Sequence, residues 1–314
     1  MIVISLKENP KSRATLAACA LFLTALIWGF AFVAQRQGTA TMGALTFNGV
    51  RFVLGTLALV PVLLIFERGK SDPTERRNTI IAGLVGGTVL CLASNLQQFG
   101  IDWTQSAARS GFITGLYMIG VPIAGMFFKR KTTVFTWIGA LCAVGGLYLL
   151  SVGKGGAQSL RGDLALYTGT VFWTAHILLV DHFAPKTRPL HFSLAQFIVC
   201  AVESLAVAAL TEDITVEGIL GGVQPLLYCG LLSVGVAYTL QIVGQRHVEP
   251  ARASVIFSME TVFSALGEML LLHQFLQPLG YGGCALIFAG ILLAQIRPKS
   301  KKLADLSQNT PKNT

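Results

Sequence analysis

Apolar stretches of about 20 residues recur along the chain, each divided from the next by a short cluster of charged residues, proline or glycine. A run of that length, wound as a helix, crosses the hydrocarbon core of a bilayer. Ten such runs are read, at 14–34, 43–66, 79–100, 106–128, 134–152, 164–183, 192–210, 219–244, 251–272 and 279–296. The segments 67–73 and 185–189 and the triplet Lys129, Arg130 and Lys131 cannot stay in lipid and mark turns. The first run follows Lys7, Lys11 and Arg13 as a secretory signal would, but at 21 residues it exceeds the usual signal core of about 7 to 15 and is expected to stay as a span. After the last run, 298–314 is polar and without periodicity, an expected aqueous tail.

Composition agrees with lipid as the solvent. Hydrophobic residues make up 53% of the 314 and charged residues only 12%, against about 25% charged in soluble domains. The net charge of +9 would suggest nucleic acid in a soluble protein, but no segment supplies a water-exposed basic domain. The charge reads instead as topology. With residues 1–13 inside and ten crossings, most lysines and arginines fall on one face, while the other keeps only Arg36, Lys154 and Arg161. Cytoplasmic loops hold that excess, so both termini are expected to be cytoplasmic in a multi-pass protein of the inner membrane. The six cysteines lie in apolar runs with no CxxC pair, as packing residues, and neither a metal nor a cofactor is called for.

The chain repeats itself. Placing Trp28 over Trp173, an offset of 145, also superposes Phe47 on Phe192 and Phe52 on Phe197. An offset of 144 then brings 96–100 onto 240–244 and pairs Gly139 with Gly283 and Gly146 with Gly290. The reading is an all-α integral membrane fold of ten transmembrane helices, with a first repeat at 14–152, a linker at 153–163 and a second repeat at 164–297. Five spans is an odd number, so the second copy enters the bilayer from the opposite face and the repeats are inverted. Inverted repeats are a recurring plan of secondary transporters, in which two halves rock around a midplane site. A bundle that only scaffolds or senses is the rival, and it predicts a solid core. An intramembrane enzyme has less to stand on, since no HExxH, nucleophile elbow or phosphate loop is present.

Several motifs carry a resemblance. Leu26, Ile27, Trp28 and Gly29 fall late in the first span, 107–117 reads AARSGFITGLY in the fourth, and Trp137, Ile138 and Gly139 precede Gly145 and Gly146 in the fifth. The second half has Met259, Glu260, Thr261, Val262 and Phe263, then Gly282 and Gly283 with Gly290. In these residues and in span order the chain resembles the EamA-type branch of the drug/metabolite transporter superfamily over both halves. The resemblance implies a ten-helix carrier with a central cavity, exporting amino acids or related metabolites, and gives Glu260 the place of the family's motif acid. Where similar sequences carry a Gly-Glu pair after the ninth helix, this one has His273 and Gln274.

Candidate site residues are the polar groups that lipid should exclude. Ionisable groups deep in a span cost about 2.5 to 3.5 kcal/mol at the bilayer centre, so they face a cavity or a partner. Arg51, Glu203, Glu260 and Glu268 are the charge or coupling candidates, with Arg109 read as a helix-end anchor. Glu260 and Glu268 are two turns apart on one span and open to one cavity, while Gln196 lies seven residues before Glu203 on nearly the same face. A buried carboxylate can take up and release a proton, which leaves proton coupling open as an energy source. Arg51 offers charge to a substrate carboxylate, with pairing to an acid as the alternative. Asn95, Gln97 and Gln241 are amides suited to a cavity wall or to interhelical hydrogen bonds, Gln97 and Gln241 being repeat mates. Trp28, Tyr117, Trp173 and Tyr238 suit the wall of an apolar pocket or plain aromatic packing, and His176 reads as a core histidine.

Overall fold

The computed structural model describes residues 10–69, 72–128, 132–151, 159–273, 275, 277–294 and 296. The turn at Lys129 to Lys131, the tail 298–314, Gln274 and most of the 153–163 linker lie outside the described residues. Helix dominates and no strand occurs among the described residues.

The principal helices are α1 (Pro10–Gly38), α2 (Ala44–Phe66), α3 (Pro73–Thr104), α4 (Ala107–Phe127), α5 (Val134–Ser151) and α6 (Leu160–Phe183). They continue with α7 (Pro189–Thr211), α8 (Val223–Gln245), α9 (Pro250–Leu272) and α10 (Pro278–Ala294), a short helical turn at Val216–Gly221 leading into α8. Eight are long and apolar enough to cross a membrane. The others, α5 and α10, are apolar but shorter, and the 17 residues of α10 reach about 25 Å.

Capping explains where the helices outrun the apolar runs. In α3 the Asp72 carboxylate accepts from the backbone N–H of Thr74 at 2.7 Å and of Glu75 at 2.9 Å, with Pro73 in the first position. Polar residues 74–78 thereby join the helix. Ser159 does the same for α6 through Gly162 N–H at 3.1 Å. Within spans the pattern hides three interruptions. Single i→i+3 turns break α4 at Leu116 and α9 at Ser258. The middle of α8, Tyr228–Tyr238, is wound as a π-helix, three residues after Pro225, whose missing N–H loosens the preceding turn.

Packing between the two parts of the chain comes in matched pairs. Helix α1 lies on α9 while α4 lies on α6, α2 lies on α8 while α3 lies on α7, and α1 lies on α8 while α3 lies on α6. The pair α5 and α10 forms a separate seam. There a Cβ on Gly139 would fall 2.4 Å from the Gly290 carbonyl oxygen, and one on Gly146 would fall 2.5 Å from that of Gly283. Only glycine permits that approach, so backbone touches backbone. Large apolar side chains such as Leu57, Phe127 and Leu210 face outward, the surface expected of a protein solvated by acyl chains.

Candidate functional site: a closed aromatic chamber

At the centre, α1, α2, α3, α4, α6, α8 and α9 line a small chamber. It is narrow, with only about 30 Å³ open to the centre of a water molecule, roughly one or two water positions. Its wall is aromatic. The Trp28 ring lies 4.9 Å from Tyr238, 5.4 Å from Phe257 and 6.4 Å from Trp173, centroid to centroid, and Trp173 stacks nearly parallel on Tyr238 at 6.2 Å.

Local backbone sets these rings. Trp28 donates its indole N–H to the Ser233 carbonyl at 3.3 Å, Thr24 donates to the Ala237 carbonyl at 3.2 Å, and Tyr228 donates to the Ile27 carbonyl at 3.0 Å. All three bonds join α1 to the π-wound part of α8, which turns Tyr238 inward. The breaks in α4 and α9 face one another. Thr261 Oγ1 donates to the Gly111 carbonyl at 2.9 Å, and just past each break Tyr117 and Glu260 meet, the phenol donating to Glu260 Oε1 at 2.8 Å.

The polar lining is sparsely paired. Arg51 is 2% exposed. Its Nε donates to Asn48 Oδ1 at 2.9 Å, its guanidinium carbon lies 5.4 Å from the Phe52 ring and 5.9 Å from the Phe47 ring, and the Cys229 thiol lies beside it. No carboxylate forms an ion pair with it among the described residues. Neither amide atom of Gln241 has a hydrogen-bond partner, nor do Trp173 Nε1, Thr114 Oγ1 and Gln35 Oε1. Buried polar atoms are ordinarily paired, so these unpaired ones around a hollow make it the candidate site.

Eight of the expected residues meet here: Trp28, Arg51, Gln97, Tyr117, Trp173, Tyr238, Gln241 and Glu260. Four lie elsewhere. Asn95 belongs to a polar knot between α2, α3 and α7, accepting from Asn48 at 2.7 Å and donating to Ser204 at 2.9 Å. Gln196 pairs with His176 outside the chamber, its Oε1 lying 3.0 Å from Nε2 of the ring while its own Nε2 has no partner. Glu203 shares the Gln196 face, but not its partner on α6. Two turns on, Glu203 is half-exposed and accepts from Thr88 at 2.6 Å. Glu268 does not share the chamber with Glu260, because it caps α4, accepting from Ala108 N–H at 3.0 Å. Arg109 is an anchor, forked onto Asp163 at 2.7 and 2.5 Å.

The lining residues that sequence reasoning missed include Phe32, Gln35, Thr114, Ser233 and Phe257. Thr114 and Phe257 precede Tyr117 and Glu260 by three residues, a spacing that places them on the same helical face.

The sequence profile of the EamA-like transporter family matches residues 15–152 and again 160–295. The chain belongs to the EamA-like transporter family. Among family relatives it is similar to an "Uncharacterized transporter" of Archaeoglobus fulgidus, 29% identical over 88% of this chain and 85% of that one. It is also similar to "Uncharacterized transporter YoaV" of Bacillus subtilis, 23% identical over 85% and 92%. A solved crystal structure of a protein shares the fold with a TM-score of 0.74 at 17% identity, covering 94% of this chain and 99% of that one. This EamA-like protein is thus a multi-pass membrane protein of a transporter family.

Proposed function

We propose that this EamA-like protein is a secondary transporter that exports a small metabolite, an amino acid or a related compound, across the inner membrane by alternating access. In this reading all ten apolar helices span the bilayer, both termini are cytoplasmic, and 14–152 and 164–297 are inverted five-helix repeats joined by 153–163. The observation that carries it is the closed chamber, walled from both repeats and ringed by unpaired polar atoms. The matched packing pairs support the two-fold relation, since the principal contacts between repeats have exchanged counterparts. A scaffold predicts a solid core, so the hollow at the centre supports the carrier reading over that rival. Glu260 is the acid of the chamber wall and the residue we assign to proton coupling.

Proteoliposomes carrying the full chain test this, with labelled amino acids and related metabolites and an imposed pH gradient. Gradient-driven flux that Glu260→Gln uncouples or lowers at least tenfold is expected. Absence of flux for every solute ends the transport reading, and flux indifferent to Glu260→Gln ends the coupling role.

A further inference from the structure

We propose that the chamber selects a small carboxylate with an apolar body, and that Arg51 is the residue that reads the carboxylate. The inference rests on the transport reading for the site's purpose, but its chemistry comes from the wall itself.

A guanidinium buried this far is ordinarily paired with an anion. Arg51 has instead one neutral acceptor, Asn48 Oδ1, two flanking rings and a thiol. The rings ease the cost of holding a cation away from water, and the Asn48 bond fixes the plane of the fork by occupying Nε. Asn48 is itself fixed, because its Nδ2 lies within 2.7 to 3.2 Å of acceptors on Asn95, Ser94 and Ser204. The arrangement presents the guanidinium to the hollow with no carboxylate of the described residues against it.

Glu260 in the same wall does not supply that charge, for it is held by Tyr117 and forms no ion pair among the described residues. A solute without an anionic group would leave the cation unanswered, a purely cationic one would be repelled, and a dianionic head would bring more charge than one guanidinium balances. A monoanionic carboxylate matches the fork. The rest of the ligand meets Trp28, Trp173, Tyr238 and Phe257, which favour an apolar and preferably flat body. Such a carboxylate comes either from an organic acid or from an amino acid whose ammonium turns to Glu260.

The test is binding, read by tryptophan emission from the full chain in nanodiscs. Trp103→Phe and Trp137→Phe leave the chamber's Trp28 and Trp173 as reporters. The probes are phenylpropanoate, its amide phenylpropanamide, phenethylamine and phenylalanine. Saturable responses to phenylpropanoate or phenylalanine are expected, with the amide and the amine at least tenfold weaker. Arg51→Gln should weaken the carboxylates about 10- to 100-fold, and Arg51→Lys, which keeps charge but not the fork, should lose less. Should Arg51→Gln fail to fold, the probe series on the arginine-containing chain decides alone.

Equal binding of acid and amide, no response to either carboxylate, or carboxylate binding untouched in a folded Arg51→Gln overturns the proposal. A preference for phenylalanine that Glu260→Gln removes identifies amino acids as the source of the carboxylate, and equal binding of the two carboxylates identifies organic acids. The two readings fail separately. Carboxylates that bind without crossing a vesicle wall refute transport, whereas flux only of solutes that lack a carboxylate refutes the Arg51 assignment.

Discussion

Two buried polar regions lie side by side in this bundle, and they treat hydrogen bonding in opposite ways. In the knot between α2, α3 and α7, none of the side-chain oxygens and nitrogens of Asn48, Ser94, Asn95 and Ser204 is without a partner, and the thiols of Cys91 and Cys200 fill the remaining contacts. In the chamber, Gln241, Trp173, Thr114 and Gln35 each keep at least one atom unpaired. Both regions are equally withdrawn from the surface, so burial alone does not separate them. Saturation separates them. Polar groups that bond one another brace helices, and on the transport reading proposed above those left open around the hollow would meet a ligand.

The sharpest way to break the contrast is at Asn48, whose side chain serves both regions. Asn48→Ala should cost about 2 to 3 kcal/mol, because it strips partners from Asn95, Ser94 and Ser204 together. Unfolding in mixed detergent micelles measures it, and a loss under 0.5 kcal/mol would mean the knot is not a brace. The opposite substitution lies in the chamber. Gln241→Leu removes an amide that has nothing to bond, so stability should hold or rise by up to about 1 kcal/mol while flux in proteoliposomes falls. A destabilisation of 2 kcal/mol or more would show that Gln241 is a brace after all. The smallest effect belongs to Glu203. Outside both regions and half-exposed beside Thr88, Glu203→Gln should move stability by less than about 0.5 kcal/mol and leave pH-driven flux unchanged.

The same contrast accounts for what could be read from the chain. The offset that superposes Trp28 on Trp173 also picks out two rings 6.4 Å apart in space, and Gln97 and Gln241, a repeat pair, both reach the chamber wall. Polarity in an apolar span marks burial for most of these residues, Glu203 being the exception. It did not tell Asn95 from Gln97, two residues on, because the helical face each occupies is assigned a function only by the neighbour that covers it. Glu268 illustrates the limit. Its partner, the N–H of Ala108, is 160 residues away, and nothing local distinguishes a carboxylate that caps a remote helix from one that meets a solute. The breaks at Leu116 and Ser258 and the π-wound stretch of α8 were equally silent, since each is an adjustment of backbone to a tertiary neighbour.

The glycine seam sets a boundary on any movement of this bundle. Where Gly139 meets Gly290 and Gly146 meets Gly283, main chains touch, with Ile287 and Ala294 packed beside them, so on the proposed transport reading α5 and α10 would serve as an axle that turns without parting. A bulky residue wedged there would jam the pivot without touching the solute. Such a lesion would freeze turnover yet spare ligand affinity.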